Sequence, residues 1–159
     1  MPRDVFRKAF GDRVGNEELV LGKLVELERY GVKSGRGFYR YDAKGKPTGP
    51  DAEVYKLAEQ RSDHALPPET LQERMVLAMI NEATLCLQEG VVRSARDVDI
   101  AMVMGTGFPP FRGGLLRHAD AIGIPVVVDR LSRLADAQGT RFRPAQLLEE
   151  MVRGQRRFY

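Results

Sequence analysis

Apolar residues along this chain recur mainly at helical spacing. The strongest stripe is Leu71, Met75, Met79, Ala83 and Leu87, one every four positions, flanked by Val76, Ile80 and Cys86. That pattern predicts one long amphipathic helix, opening after Pro67-Pro68 and ending at Gly90. Upstream, Asn16 is placed to cap a helix whose first turn holds Glu17 and Glu18. Its inner face would be Val20, Leu21, Leu24 and Leu27, with Gly31 as the stop. A short helix is expected over 51–62. Further helices are expected over 97–104, 115–121, 125–139 (inner face Val127, Leu131 and Leu134) and 144–153 (Leu147, Leu148, Met151 and Val152). No run alternates apolar and polar with a period of two. The predicted fold class is therefore all-α, a helical bundle.

The pattern breaks at "KSGRGFYRYDAKGKPTGP", residues 33–50, which is rich in Gly and Lys. It reads as a loop with at most one short extended piece around Phe38, Tyr39 and Tyr41. The composition shift places an internal boundary there, with residues 1–50 as a helical piece plus loop and 51–159 as the compact bundle. A second break, "GTGFPPFRGG" at 105–114, poses a sharper question, because glycine-rich loops before helices cradle phosphates. A dinucleotide loop needs a third glycine three positions after G-x-G, a strand before it and a helix after it. After Gly35 and Gly37 that third place holds Arg40. After Gly105 and Gly107 it holds Pro110, and neither stretch follows a recognisable strand. The segment reads instead as a corner between helices. In that reading Gly105 is the left-handed terminator, Pro109-Pro110 stiffens the crossing, Phe108 and Phe111 plug the core on either side, and Gly113-Gly114 allow close approach.

Composition narrows the chemistry further. Cys86 is the only cysteine in 159 residues, so no intramolecular disulfide is possible, and its place in an apolar helical pattern makes it a core residue. No apolar run reaches the ~20 residues of a membrane helix. The charged first residues lack a signal peptide's apolar segment, so a cytoplasmic protein is expected. Net charge is +3, with basic residues gathered at Lys33, Arg36, Arg40, Lys44 and Lys46, and again at Arg153, Arg156 and Arg157. Such clusters suit either a phosphorylated ligand or a solvated loop and a frayed tail; the solvated reading is the expectation. Trp is absent and the aromatics are not interleaved with the basic residues, which argues against nucleic acid.

His64 lies in a polar connection. His118 and Asp120 stand two apart in a helix, where they cannot pair as base and orienter. One Cys and two distant His do not write a zinc site. Glu82, in the long helix, is either an inward acid/base or a solvated carboxylate, the second being commoner. The residues themselves thus nominate no catalytic, cofactor-binding or metal-binding side chain.

Two longer stretches carry a resemblance. "LGKLVELERYGVKSGRGFYRYD" (21–42) resembles the end of the helical domain of 3-hydroxyacyl-CoA dehydrogenases. "RMVLAMINEATLCLQEGVVRSARDVDIAMVMGTGFPPFRGGLLRHAD" (74–120) resembles the C-terminal repeat of that family's long form, the multifunctional α-subunit of the fatty-acid β-oxidation complex. The resemblance runs from about residue 15 to 159 and implies the C-terminal piece of a longer enzyme. In that family a Rossmann domain holds NAD and the catalytic His-Glu pair, and the first helical repeat supplies an Asn from an Asn-Arg pair. Aligned on Glu82-Ala83, that pair reads Glu73-Arg74 here, as expected of a second, non-catalytic repeat. The resemblance thus implies no cofactor held by this chain itself, NAD in the complete enzyme, and no catalysis by the chain alone. Its partners would be the first repeat and Rossmann domain or a second copy of the chain, with loop 33–46 in reach of CoA phosphates as a lesser alternative. The rival reading is a stand-alone dimerisation or partner-binding module.

Overall fold

A computed structural model of the chain describes residues 8–9, 20–57 and 66–159. The expected cap at Asn16, the stretch 58–62 of the predicted 51–62 helix, and His64 lie outside the described residues. Packing separates residues 16–66 from 67–159, so residues 51–57 group with the 33–50 stretch, although composition divides the chain near residue 50. The physical reason is Asp51, whose backbone N–H donates to the Phe38 carbonyl (2.9 Å) and whose carboxylate is ringed by arginines from 29–40.

The smaller unit holds helix α1 (Val20–Glu26), a two-stranded sheet of β1 (Tyr39–Tyr41) and β2 (Pro47–Pro50), and helix α2 (Glu53–Leu57). Helix α1 buries Leu24, while Leu21 and Leu27, expected on the same face, are 54% and 53% exposed. Its end is marked by Glu28 at φ 54° and Gly31 at φ 75°. The 33–50 stretch is more ordered than the expected loop. β1 and β2 pair antiparallel in register Tyr39 to Pro50 and Arg40 to Gly49, with a bulge before the Tyr41 to Pro47 pair. The aromatic run Phe38–Tyr41 has strand propensity, but "PTGP" has only Thr48 to offer, so alternation could not reveal its partner. The register is held instead by the turn: Asp42 Oδ1 accepts from the N–H groups of Lys44 and Lys46, both at 2.9 Å. Thr48 Oγ1 donates to the Arg40 carbonyl at 3.1 Å.

Nor are Arg36 and Arg40 merely solvated. Asp51 is fully buried; Arg36 Nε reaches its Oδ2 at 3.2 Å, Arg40 Nη2 its Oδ1 at 3.4 Å, and Arg29 Nη1 its Oδ2 at 3.7 Å. Glu53 takes a second bond from Arg36 and one from Arg29. Burial alone would raise the Asp51 carboxyl, but the Glu53 backbone N–H and the Arg36 guanidinium outweigh it and hold it below the usual carboxylate range. Arg36 and Arg40 of the basic loop thus clamp Asp51, and Arg36 also holds Glu53.

The larger unit is the bundle: α3 (Pro68–Gln88), α4 (Ala95–Thr106), α5 (Leu115–Ile122), α6 (Ile124–Gln138) and α7 (Gln146–Arg153). Its core joins Leu77, Ile80, Val98, Phe108, Leu115, Leu116, Val127, Leu131, Phe142, Leu148 and Met151. The inner face of α3 differs from the predicted stripe. Leu77, Ile80, Asn81, Ala83 and Thr84 are buried, whereas Leu71 is exposed, Met75 is 63% exposed and Met79 is only partly covered. Spacing by four drifts around a helix of 3.6 residues per turn, so the stripe begins on the outside and crosses inward only by Ala83.

Of the two buried polar side chains of α3, one ties that helix to another. Asn81 Nδ2 donates to the Arg143 carbonyl (2.9 Å) and its Oδ1 accepts from Ala145 N–H (2.8 Å), which fixes the entry to α7. Thr84 donates back to the Ile80 carbonyl at 2.8 Å, so its hydroxyl is satisfied within α3. Helix α4 opens on Ser94, whose Oγ accepts from Asp97 N–H at 3.2 Å. It runs two residues past Met104, so Gly105 lies inside the helix; the left-handed stop is Gly107 at φ 72°.

Candidate functional site

The strongest convergence of polar and apolar groups lies around the 105–114 turn. Once Gly107 ends α4, Phe108 turns into the core at 6% exposure, while Phe111 stands outward at 84%. The expected pair of core plugs is thus one plug and one exposed ring, with Arg112 at 5.8 Å from the Phe111 centroid. The close approach expected of the glycine pair is real at Gly114. A Cβ there would lie 2.3 Å from Cβ and Cγ of Asp99, so only glycine lets α4 meet the start of α5.

Asp99 is the hub of that crossing. It is buried, and its Oδ1 accepts from Leu116 N–H at 2.6 Å while Oδ2 accepts from Arg117 N–H at 3.2 Å and from Tyr159 Oη–H at 2.8 Å. The carboxylate of one helix therefore caps the next, where the helix dipole favours negative charge. Asp120 holds the same tail segment, accepting from the N–H groups of Phe158 and Tyr159, each at 3.0 Å. The Arg117 guanidinium lies 3.9 Å from the Tyr159 ring centroid. The tail bearing Arg153, Arg156 and Arg157 is consequently anchored, in contrast to the expected frayed end. Burial, then the bond to Asp99 and its charge, pushes the Tyr159 phenol up to about 12.

Two grooves flank the turn. One, of about 640 Å³, runs between Ile100, Val103 and Met104 of α4, Pro110, and the Asp99–Arg117–Tyr159 cluster. The other, of about 610 Å³, has an apolar floor of Met75, Val76, Met79, Phe108 and Ile122, rimmed by Glu73, Arg112, His118 and Arg130. His118 Nδ1 sits 3.5 Å from the Arg112 guanidinium and its ring 6.2 Å from that of Phe108. Partial burial, then the Arg112 charge, holds the imidazole below its ordinary value. Asp120, two residues on, is engaged with the tail and not with His118. A histidine set against a guanidinium is a weak proton acceptor and lacks the carboxylate that would orient it.

Glu82 lies on the exposed side of α3, next to the buried Asn81, and Cys86 is partly buried. Glu73 pairs with Arg130 across the groove mouth, and Arg74 lies 5.4 Å from the Phe142 centroid. Among the described residues no three His, Cys, Asp or Glu are grouped to hold a metal, and no helix is long and apolar enough to cross a membrane. A dinucleotide does not fit either G-x-G stretch. Gly35 and Gly37 lead into a hairpin rather than a helix, and Gly105 and Gly107 stand at the C-terminal end of α4, where the dipole repels phosphate. What the arrangement offers is apolar grooves with charged rims, suited to receiving apolar side chains.

Asp99, Asn81, Tyr159 and Asp51 were not singled out by residue-level reasoning. A partial signal existed for the first two, since Asp-x-Asp and Asn-Glu-Ala both stand in the 74–120 stretch. None marked Tyr159, whose partners lie 39 and 60 positions away.

Comparison with known proteins bears on this arrangement. The profile of the "3-hydroxyacyl-CoA dehydrogenase, C-terminal domain" matches residues 71–157, more than half of the chain. The fatty acid oxidation complex subunit alpha of Idiomarina loihiensis is 40% identical over 157 residues, which cover 98% of this chain and 22% of that relative. The chain thus spans about a fifth of that relative's length. Among solved structures, the dehydrogenase part of multifunctional enzyme 1 from C. elegans superposes with a TM-score of 0.62 over 93% of this chain and 36% of that one, at 21% identity. M. tuberculosis FadB2 superposes with a TM-score of 0.50 over 67% of this chain and 39% of its own, also at 21% identity. At that identity the likeness is one of fold.

Proposed function

The chain belongs to the 3-hydroxyacyl-CoA dehydrogenase family, whose C-terminal domain it carries, and from that premise we propose that it is a non-catalytic helical portion of such an enzyme. The smaller unit would close a first helical repeat and the bundle would be a second. In the complete enzyme, NAD-dependent oxidation of a 3-hydroxyacyl-CoA would be performed by a Rossmann domain and the first repeat, and the bundle would contribute packing contacts like those between subunits. A cytoplasmic setting, as for the oxidation of soluble acyl-CoA thioesters, goes with this reading.

The observation that supports it is the use made of Glu73 and Arg74. They occupy the place where the resemblance puts a catalytic Asn-Arg, yet Glu73 is tied to Arg130 and Arg74 is packed over Phe142. A carboxylate held by a guanidinium cannot play an amide's part toward a substrate carbonyl, because it has no proton to donate. The test is NADH oxidation with acetoacetyl-CoA by the purified chain. No rate above background is expected, and turnover resembling a complete dehydrogenase would overturn the proposal.

A further inference from the structure

Residues 154–159 leave α7 through Gly154 and through Gln155, which takes the left-handed conformation at φ 49° despite its side chain. From there the segment crosses α5 and ends over the groove beside α4. Gly154, Gln155 and Arg156 donate their N–H groups back to the carbonyls of Glu150, Val152 and Met151 (2.9, 3.2 and 2.8 Å) and so close α7; beyond them, most of the hold on the bundle is polar and converges on a few groups. Asp120 takes two backbone N–H groups, Asp99 takes the Tyr159 hydroxyl, and Arg117 lies over the Tyr159 ring. Phe158 adds a partly buried apolar contact.

What happens to these partners without the strap distinguishes it from an ordinary helix. Asp99 would keep the N–H groups of Leu116 and Arg117, so its buried charge would stay satisfied and α5 would stay capped. Asp120 is only partly buried, so water can replace the two amides it loses. Neither carboxylate is left stranded. Detachment therefore avoids the large penalty that holds most buried polar contacts closed.

We propose that residues 157–159 form a latch, which opens as a unit while the five helices stay folded, and whose tyrosine sets the width of the groove between α4 and the 105–114 turn. When closed, the Tyr159 ring forms one wall of that groove, facing Ile100, Val103 and Met104. When open, the groove loses that wall and Arg117 loses its stacking partner.

Hydrogen exchange on the full chain, followed by mass spectrometry over a series of low urea concentrations, tests this. The amides of Phe158 and Tyr159 are expected to exchange faster than those of Ile80–Thr84 and with little dependence on urea, the mark of a local opening. Tyr159→Phe, which weakens the closed state, should speed exchange in the strap up to about fivefold. Ile80→Val, which weakens the core and keeps every strap contact, should speed exchange at Ile80–Thr84 and leave the strap amides unchanged. If strap and core amides share one rate and one urea dependence, or if Ile80→Val speeds the two regions equally, the strap is an integral part of the bundle and the proposal fails.

Discussion

Asp51 in the smaller unit and Asp99 in the bundle are both buried carboxylates, but their neighbours differ. Asp51 is ringed by three guanidinium groups in a unit whose described residues bury only Leu24 and Val54 as apolar side chains. Asp99 takes two backbone amides and a phenol, at the edge of a continuous apolar core. Where apolar burial is thin, opposite charges tie distant segments together. Where it is thick, the carboxylate has only to orient two helices, and neutral donors suffice. The two regions should therefore fail under different perturbations.

The largest effect is expected from Ile80→Asp. It places an unpaired carboxylate in the centre of the bundle and should cost at least about 4 kcal/mol, seen as loss of the urea unfolding transition. Met79→Asp, at the partly covered wall of a groove, should be clearly milder. Gly114→Ala comes next. The residue sits at φ 116° and its Cβ would overlap Asp99, so a loss of more than about 2 kcal/mol is expected from the same transition.

Asp51→Asn should act on the other region alone. With the charge gone, Arg29, Arg36 and Arg40 repel one another around a neutral amide. The amide resonances of Tyr39–Tyr41 should lose dispersion while those of α3 stay in place. Acid should reproduce the effect. The Asp51 carboxyl is held below 3.8, its unperturbed value; its contribution is therefore complete above that pH and is lost as pH falls through the lower folded value. Equal sensitivity of both regions to Asp51→Asn would break the comparison.

The smallest effect belongs to Tyr159→Phe, about 1 kcal/mol or less, because the side chain is half exposed and solvent weakens the bond to Asp99. Here the pH sign is opposite. A phenol raised from 10.0 to about 12 stabilises the fold fully below pH 10, and the contribution fades as pH rises toward 12. Wild type should unfold at higher urea than Tyr159→Phe at pH 8, and the gap should close by about pH 12.

Helices were legible wherever a whole apolar face survives in the sequence, as in α6 and α7. The stripe in α3 misled because a four-residue repeat overtakes the helical turn, so Leu71 and Met75 point out where Leu77 and Ile80 point in. The hairpin was hidden because β2 carries only one strand-forming side chain, Thr48, between prolines and a glycine, and depends on Asp42 and on its aromatic partner. Of the site, the corner at 105–114 was readable as a corner, since Gly, Pro and Phe each have local conformational meaning. Its hub was not. Asp99 and Tyr159 are ordinary residues locally, and their roles exist only once α4, α5 and the tail segment meet.

If the bundle packs against other helices as proposed, its outward apolar side chains Leu71, Met75, Met104 and Phe111 are the ones available for that contact. Sedimentation of the chain over a range of concentrations, with apolar-dye binding measured on the same samples, tests this most directly. Self-association or dye binding is expected, reduced in the Met75→Glu/Phe111→Glu double variant. A clean monomer that binds no dye at any concentration would contradict it.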